Sequence, residues 1–256
     1  MNNLYFPICA VFINILIVVV FFSKKRIHSD ETKAYSNLII IALLESSLAC
    51  ILVILMNLYG IPNYIYNIHR VDYILILFWV WSLFNYVLIV SVYNNKKLRK
   101  SIQKITFMIN ILVSIGFFFL NVNVINQNGI IDTNGGAMNL LVAMLGFYVI
   151  LILILVFKSL IKNVKSSNNK KFIPLFFLAI LGVLSLVIRK VAPEILLVSL
   201  MAAYADLIMI FTIENPDVKM IYELNKNKRL LESMSEEKSN FLFSMTQNTK
   251  KPIDNI

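Results

Sequence analysis

Apolar positions gather into seven runs, at about 4–22, 35–59, 73–93, 105–124, 138–157, 172–188 and 194–213. Each is close to the ~20 residues that a helix rising 1.5 Å per residue needs to cross about 30 Å of hydrocarbon. The pattern predicts an all-α, polytopic membrane protein of about seven transmembrane helices. Between the runs the connections alternate in character. Gly60-Ile61-Pro62 and Asn134-Gly135-Gly136 read as tight external turns. Tyr59, Tyr64, Tyr66 and Tyr73 cluster as an interfacial aromatic belt would. Short external connections leave no room for an extracellular binding domain.

Past residue 213 the pattern changes. Glu214-Asn215-Pro216-Asp217 reads as a helix stop and restart: Asn215 suits an N-cap, Pro216 a first helical position, and Asp217 the positive end of the dipole. Residues 218–245 are mostly helix formers. Ile221, Leu224, Leu231, Leu242 and Met245 follow a 3–4 spacing that Lys228, Ser235 and Lys238 interrupt. That leaves open either a weak two-stranded coiled coil or a solvated amphipathic helix. The expected domains are therefore 1–213, a seven-helix membrane domain, and 214–256, a cytoplasmic helix.

Composition agrees with the pattern. Hydrophobic residues make up 59% of the chain and charged residues 15%, with a mean hydropathy of +0.76. The net charge of +10 acquires meaning from its placement. Of the 24 basic residues, 21 fall in the first, third and fifth connections or in the tail. Only Arg70, Arg189 and Lys190 lie in the even connections. By the positive-inside rule the N-terminus is outside and the tail cytoplasmic, in the cell membrane. Basic loops facing an anionic leaflet account for the charge without nucleic acid. No basic residue precedes the first run, and Lys24, Lys25 and Arg26 follow it, so a secretory signal peptide is not expected. Cys9 and Cys50 lie within apolar runs and read as small hydrophobes.

The tail carries the most specific motif. Lys238-Ser239-Asn240-Phe241-Leu242-Phe243-Ser244-Met245-Thr246-Gln247-Asn248-Thr249-Lys250-Lys251-Pro252-Ile253 resembles the phosphoacceptor helix of bacterial multi-pass sensor histidine kinases, the receptors of two-component systems. Phe211-Thr212-Ile213-Glu214-Asn215-Pro216-Asp217 resembles the junction between membrane domain and kinase in that family. The resemblance covers about the last 45 residues. It implies a sensory and signal-transducing role, a homodimer through the C-terminal helix, and a response regulator or kinase as output partner. Gln247 occupies the phosphoacceptor position, and Asn248 replaces its acidic neighbour. A carboxamide nitrogen is delocalised into its carbonyl and cannot attack a phosphoryl group. The chain holds no GxGxxG or P-loop pattern. No kinase activity is expected from it alone, whether it is truncated or a degenerate relative. ATP and Mg would enter only through a kinase domain beyond it, and no other cofactor is implied.

Within the runs, Glu45 lies near the middle of the second and Asp206 in the inner half of the seventh; Glu194 falls at an outer edge. No Lys or Arg lies within a run to pair with either, so each carboxyl is expected to hold its proton at rest. One reading is a pH- or cation-sensitive contact that biases the seventh helix. The other is a neutral acid bonded to a neighbour, such as Ser46 or Ser47 for Glu45. Trp79, Trp81 and Asn85 are candidates for a small apolar ligand pocket between helices, or for plain helix packing. Asn14, Asn110 and Tyr204 read as interhelical hydrogen-bonding residues. His28 and His69 are isolated, and no metal site is expected. The competing class is a small-molecule or proton-coupled transporter, against which stands the lack of paired Gly/Pro-interrupted runs. A retinal photoreceptor is excluded because no Lys lies in any run to form a Schiff base.

Overall fold

The computed structural model describes residues 4–24, 26, 29–92, 95–127, 130–162, 175–176, 180–184, 187 and 198–253. Five long helices, α1 (Tyr5–Ser23), α2 (Asp30–Tyr59), α3 (Tyr64–Ser91), α4 (Lys96–Phe119) and α5 (Gly136–Lys162), precede a shorter apolar helix, α6 (Val198–Thr212). The first five are long and apolar enough to cross a membrane. The expected sixth run falls mostly outside the described residues, as do Glu194 and His28.

Local chemistry sets the helix ends. Ser29 caps α2 by accepting the Thr32 N–H at 3.1 Å, and Asp30 and Glu31 fill the first turn. Gly60 ends that helix at φ +74°, its N–H returning to the Met56 carbonyl at 3.1 Å. Asn95 caps α4 through the Leu98 N–H at 3.1 Å. The cap starts α4 earlier than hydropathy alone suggests. Lys96, Lys97, Arg99, Lys100 and Lys104 are therefore helical rather than loop residues. Arg99 is buried and pairs with Asp30 at 2.6 Å, tying α4 to the start of α2.

The central helix is α3, which packs against α2, α4 and α5; α1 packs against α2 and α6. Tyr35, Tyr86, Tyr148 and Phe117 are among the largest fully buried side chains. Phe12, Leu16, Leu58, Leu112 and Phe119 lie exposed on outer faces, as lipid-facing side chains would. Tyr59 and Tyr64 are exposed and fit an aromatic belt. Tyr73 does not: it is buried, in ring contact with Phe117 at 6.0 Å and His69 at 6.1 Å. It sits more than two turns into α3, where the helix faces the core.

One departure from an all-α chain is a hairpin between α4 and α5. Strands β1 (Asn123–Gln127) and β2 (Ile130–Asn134) pair antiparallel, with Val124 opposite Thr133. Val124 packs on a small cluster of Leu52, Met56 and Ile65. Behind the hairpin Gly135 takes φ +122°, and a Cβ there would lie 2.5 Å from the Asn121 carbonyl oxygen. In the sequence the hairpin signal is Asn128-Gly129, a favoured two-residue hairpin dipeptide.

A second compact unit, residues 215–256, is separate from the first, residues 1–214. It holds α7 (Pro216–Ile253), a single helix of 38 residues that begins directly after Asn215. Side chains 227–246 of α7 are all exposed.

Candidate functional site

Both carboxyls singled out in the sequence are buried, and each engages another helix. Glu45 on α2 accepts the Ser199 hydroxyl of α6 at 2.7 Å. Ser46 and Ser47 are not its partners. Adjacent residues on a helix point about 100° apart and do not face each other. Ser46 instead meets Asn14 of α1, whose amide donates to the Ser46 hydroxyl at 3.0 Å and to the Ala42 carbonyl at 3.2 Å.

Asp206 on α6 is fully buried. One carboxyl oxygen accepts the Trp79 indole N–H at 3.4 Å, and its backbone carbonyl accepts the Tyr35 hydroxyl at 2.7 Å. The other oxygen has no hydrogen-bond partner among the described residues.

Trp79 also forms part of the wall of an apolar cavity of about 90 Å³. The lining comes from α3 (Ile76, Val80, Leu83), α5 (Leu141, Leu145) and α6 (Met201, Ala202, Ala205), with Leu175 and Leu181 beside them. A cavity of roughly 150 Å³ lined by Leu, Ile and Phe stays dry and takes up benzene. The space here suits a molecule of a few carbon atoms.

Trp81 and Asn85 are not part of that wall. Two residues apart on a helix point to opposite sides, so Trp79 and Trp81 diverge. The Trp81 indole donates to the Thr106 hydroxyl of α4 at 3.0 Å and packs on Phe78 and Phe107. Asn85, one turn on, shares the Trp81 face. Asn110 joins α4 to α5 by accepting the Tyr148 hydroxyl at 2.6 Å. Tyr204 is exposed and bridges no helices among the described residues.

A further buried group, unmarked by hydropathy, lies where residue 214 follows α6. Glu214 belongs to the helix-stop pattern in the sequence, yet it is fully buried. Its carboxyl accepts the Tyr86 hydroxyl of α3 at 2.6 Å. Its backbone carbonyl accepts an Arg26 N–H at 2.6 Å. Arg26 also donates to the Phe21 carbonyl at 2.9 Å and lies 4.1 Å over the Phe21 ring. Burial lowers the Arg26 pKa, and Glu214 draws it back up; a guanidinium stays charged throughout. Tyr35 and Tyr86 stand edge to face at 6.2 Å, which places the Asp206 and Glu214 contacts side by side.

All of this converges on one stripe of α6. Ser199, Ala202, Asp206 and Met209, with Ile213 just past the helix end, alternate at three and four residues, and all are buried. They lie on one face of the helix. That face meets Glu45 at one end, Trp79 at the middle and the Tyr86–Arg26 cluster at the other. A scan against protein-family models and a search of curated proteins found no match to this chain.

Proposed function

We propose that the chain is the membrane-embedded sensory module of a two-component signal transducer, and that it reads a small apolar molecule from the bilayer. The supporting observation is the double role of Trp79. The same indole walls the cavity and holds Asp206 on α6. A molecule in the cavity that fits one setting of Trp79 better than another shifts the balance between two positions of α6. The chain runs from α6 through Glu214 directly into residues 216–253. In this reading, α7 is the cytoplasmic output helix, and it pairs with α7 of a second copy. Because Gln247 stands at the acceptor position, phosphoryl transfer takes place on a partner, and this chain supplies the stimulus-dependent geometry.

The test uses Trp81→Phe, which leaves Trp79 as the sole tryptophan. The variant in lipid nanodiscs is titrated with 1-bromobutane, whose heavy atom quenches indole emission. Saturable quenching is expected, together with a changed rate of disulfide cross-linking between α7 helices carrying single cysteines. Quenching that rises linearly with the amount partitioned into lipid removes the cavity as the sensor. Saturable quenching with unaltered cross-linking removes the transmission step.

A further inference from the structure

Glu45 opens onto a second cavity, of about 50 Å³, distinct from the apolar one. Its polar lining comes from four elements: Glu45 on α2, His69, Asp72 and Tyr73 on α3, Thr133 on β2, and Ser199 on α6. Ala49, Leu52, Val53, Met56, Ile76 and Val198 complete the wall. Glu45 is 2% exposed, and its Oε2 has no hydrogen-bond partner among the described residues. An unmet carboxyl oxygen this deep is costly unless something occupies the space before it. The volume is several times the 10–15 Å³ that one water requires.

We infer that this chamber binds a sodium ion with one or two waters, held by Glu45 Oε2 and the surrounding hydroxyl oxygens. The donor set is hard oxygen, which suits an alkali cation. The Ser199 hydroxyl gives its hydrogen to Glu45 Oε1 at 2.7 Å, and a hydroxyl oxygen that donates its hydrogen keeps lone pairs with which to ligate an ion. Asp72 is 8% exposed, and Asp206 lies within electrostatic reach of Glu45. The titratable groups facing the chamber are thus Glu45, Asp72, His69 and Tyr73, with Asp206 behind. A divalent or transition metal is disfavoured. No group of three His, Cys, Asp or Glu side chains among the described residues converges closely enough to hold one. A single charge matched to the Glu45 carboxylate avoids leaving that carboxylate uncompensated in the interior.

Sodium binding in this chamber is independent of any sensory role. Only its consequence, that the ion sets the resting position of α6 through Ser199, rests on the proposed function. Purified protein in nanodiscs is assayed with ²²Na⁺ at pH 8. One ion per chain is expected, displaced by unlabelled sodium and by lowering the pH, but not by choline. Thermal unfolding is then compared in sodium chloride and choline chloride of equal ionic strength. Sodium raises the midpoint of the wild type saturably, as any ligand selective for the folded state does. Glu45→Gln, which keeps the shape and removes the charge, loses at least nine-tenths of that response. Absence of stoichiometric ²²Na⁺ uptake by the wild type overturns the site, as does an equal sodium response in Glu45→Gln. If the variant does not fold, the wild-type uptake decides alone.

Discussion

Tyr86 and Tyr148 each give a hydroxyl hydrogen to a buried acceptor at 2.6 Å, and the acceptors differ in kind. Tyr148 meets the Asn110 carboxamide, whereas Tyr86 meets the carboxyl of Glu214, beside the Arg26 guanidinium. A neutral hydrogen bond contributes about 0.5–1.5 kcal/mol net, and one to a charged group about 1.5–3 kcal/mol. Removing each hydroxyl without changing the ring separates the two. Tyr86→Phe is expected to destabilise the protein by about 2 kcal/mol and Tyr148→Phe by about 1 kcal/mol, read from unfolding in mixed micelles. Glu214→Gln combined with Tyr86→Phe should cost less than the sum of the single changes, since both remove one interaction. Equal losses for the two tyrosines would mean that Glu214 is held by other groups. Glu45 and Asp206 could be picked out from sequence because an ionisable residue inside an apolar run stands out. Glu214 could not, because it follows the run beside Asn215-Pro216. Its burial depends on Tyr86, 128 positions away in sequence. The partners of Glu45 and Trp79 were hidden for the same reason, as they lie on α6 and follow from packing rather than local pattern.

Among the elements, hydropathy located the first five long helices, with five of their ten ends placed within two residues. Shifts of five to nine residues fall at the starts of α2, α3 and α4 and at the ends of α4 and α5; at the starts of α2 and α4 they come from polar first turns that a hydropathy count leaves out. Hydropathy missed the hairpin because a short ribbon rich in Asn between two spans resembles any loop unless the Asn128-Gly129 dipeptide is weighed. For α7 the sequence permits two overlapping stripes. One runs through Ile221, Leu224, Lys228, Leu231, Ser235, Lys238, Leu242 and Met245. The other runs through Met220, Leu224, Asn227, Leu231, Met234, Lys238, Phe241 and Met245, with six of eight positions apolar. The described members of both are exposed on the isolated helix, so the proposed pairing has to choose between them. The second keeps the alternation of three and four residues with fewer polar interruptions, and Asn227 and Lys238 would then fix register within the seam. In a cysteine-free background, Met234→Cys is expected to form an interchain disulfide several-fold faster than Ser235→Cys under mild oxidation. The reverse order selects the first stripe, and no cross-linking at either position removes the α7 dimer.

Across the whole molecule, charge separates the two ends of the helical unit. Arg70 lies at the hairpin end, and its guanidinium is taken up by the Phe117 and Leu120 carbonyls at 3.1 and 3.2 Å and the Asn67 side chain at 2.7 Å. It serves as a C-terminal cap for α4, where a cation also meets the negative end of the helix dipole. Lys24, Arg26, Lys33 and the row from Lys96 to Lys104 belong to the opposite helix ends. A cation beside an anionic cytoplasmic leaflet gains about 1 kcal/mol. Several such residues on one side, against Arg70, Arg189 and Lys190 on the other, favour a single orientation. The hairpin is then expected outside the cell and α7 inside. Exposed Asn134 on β2 and Asn225 on α7 report on the two sides. With Cys9 and Cys50 replaced by alanine, Asn134→Cys should react with a membrane-impermeant maleimide on intact cells. Asn225→Cys should react only after permeabilisation. Labelling of Asn225→Cys on intact cells would place α7 outside. The cytoplasmic output would then be lost, while the apolar cavity and the sodium chamber would keep their geometry.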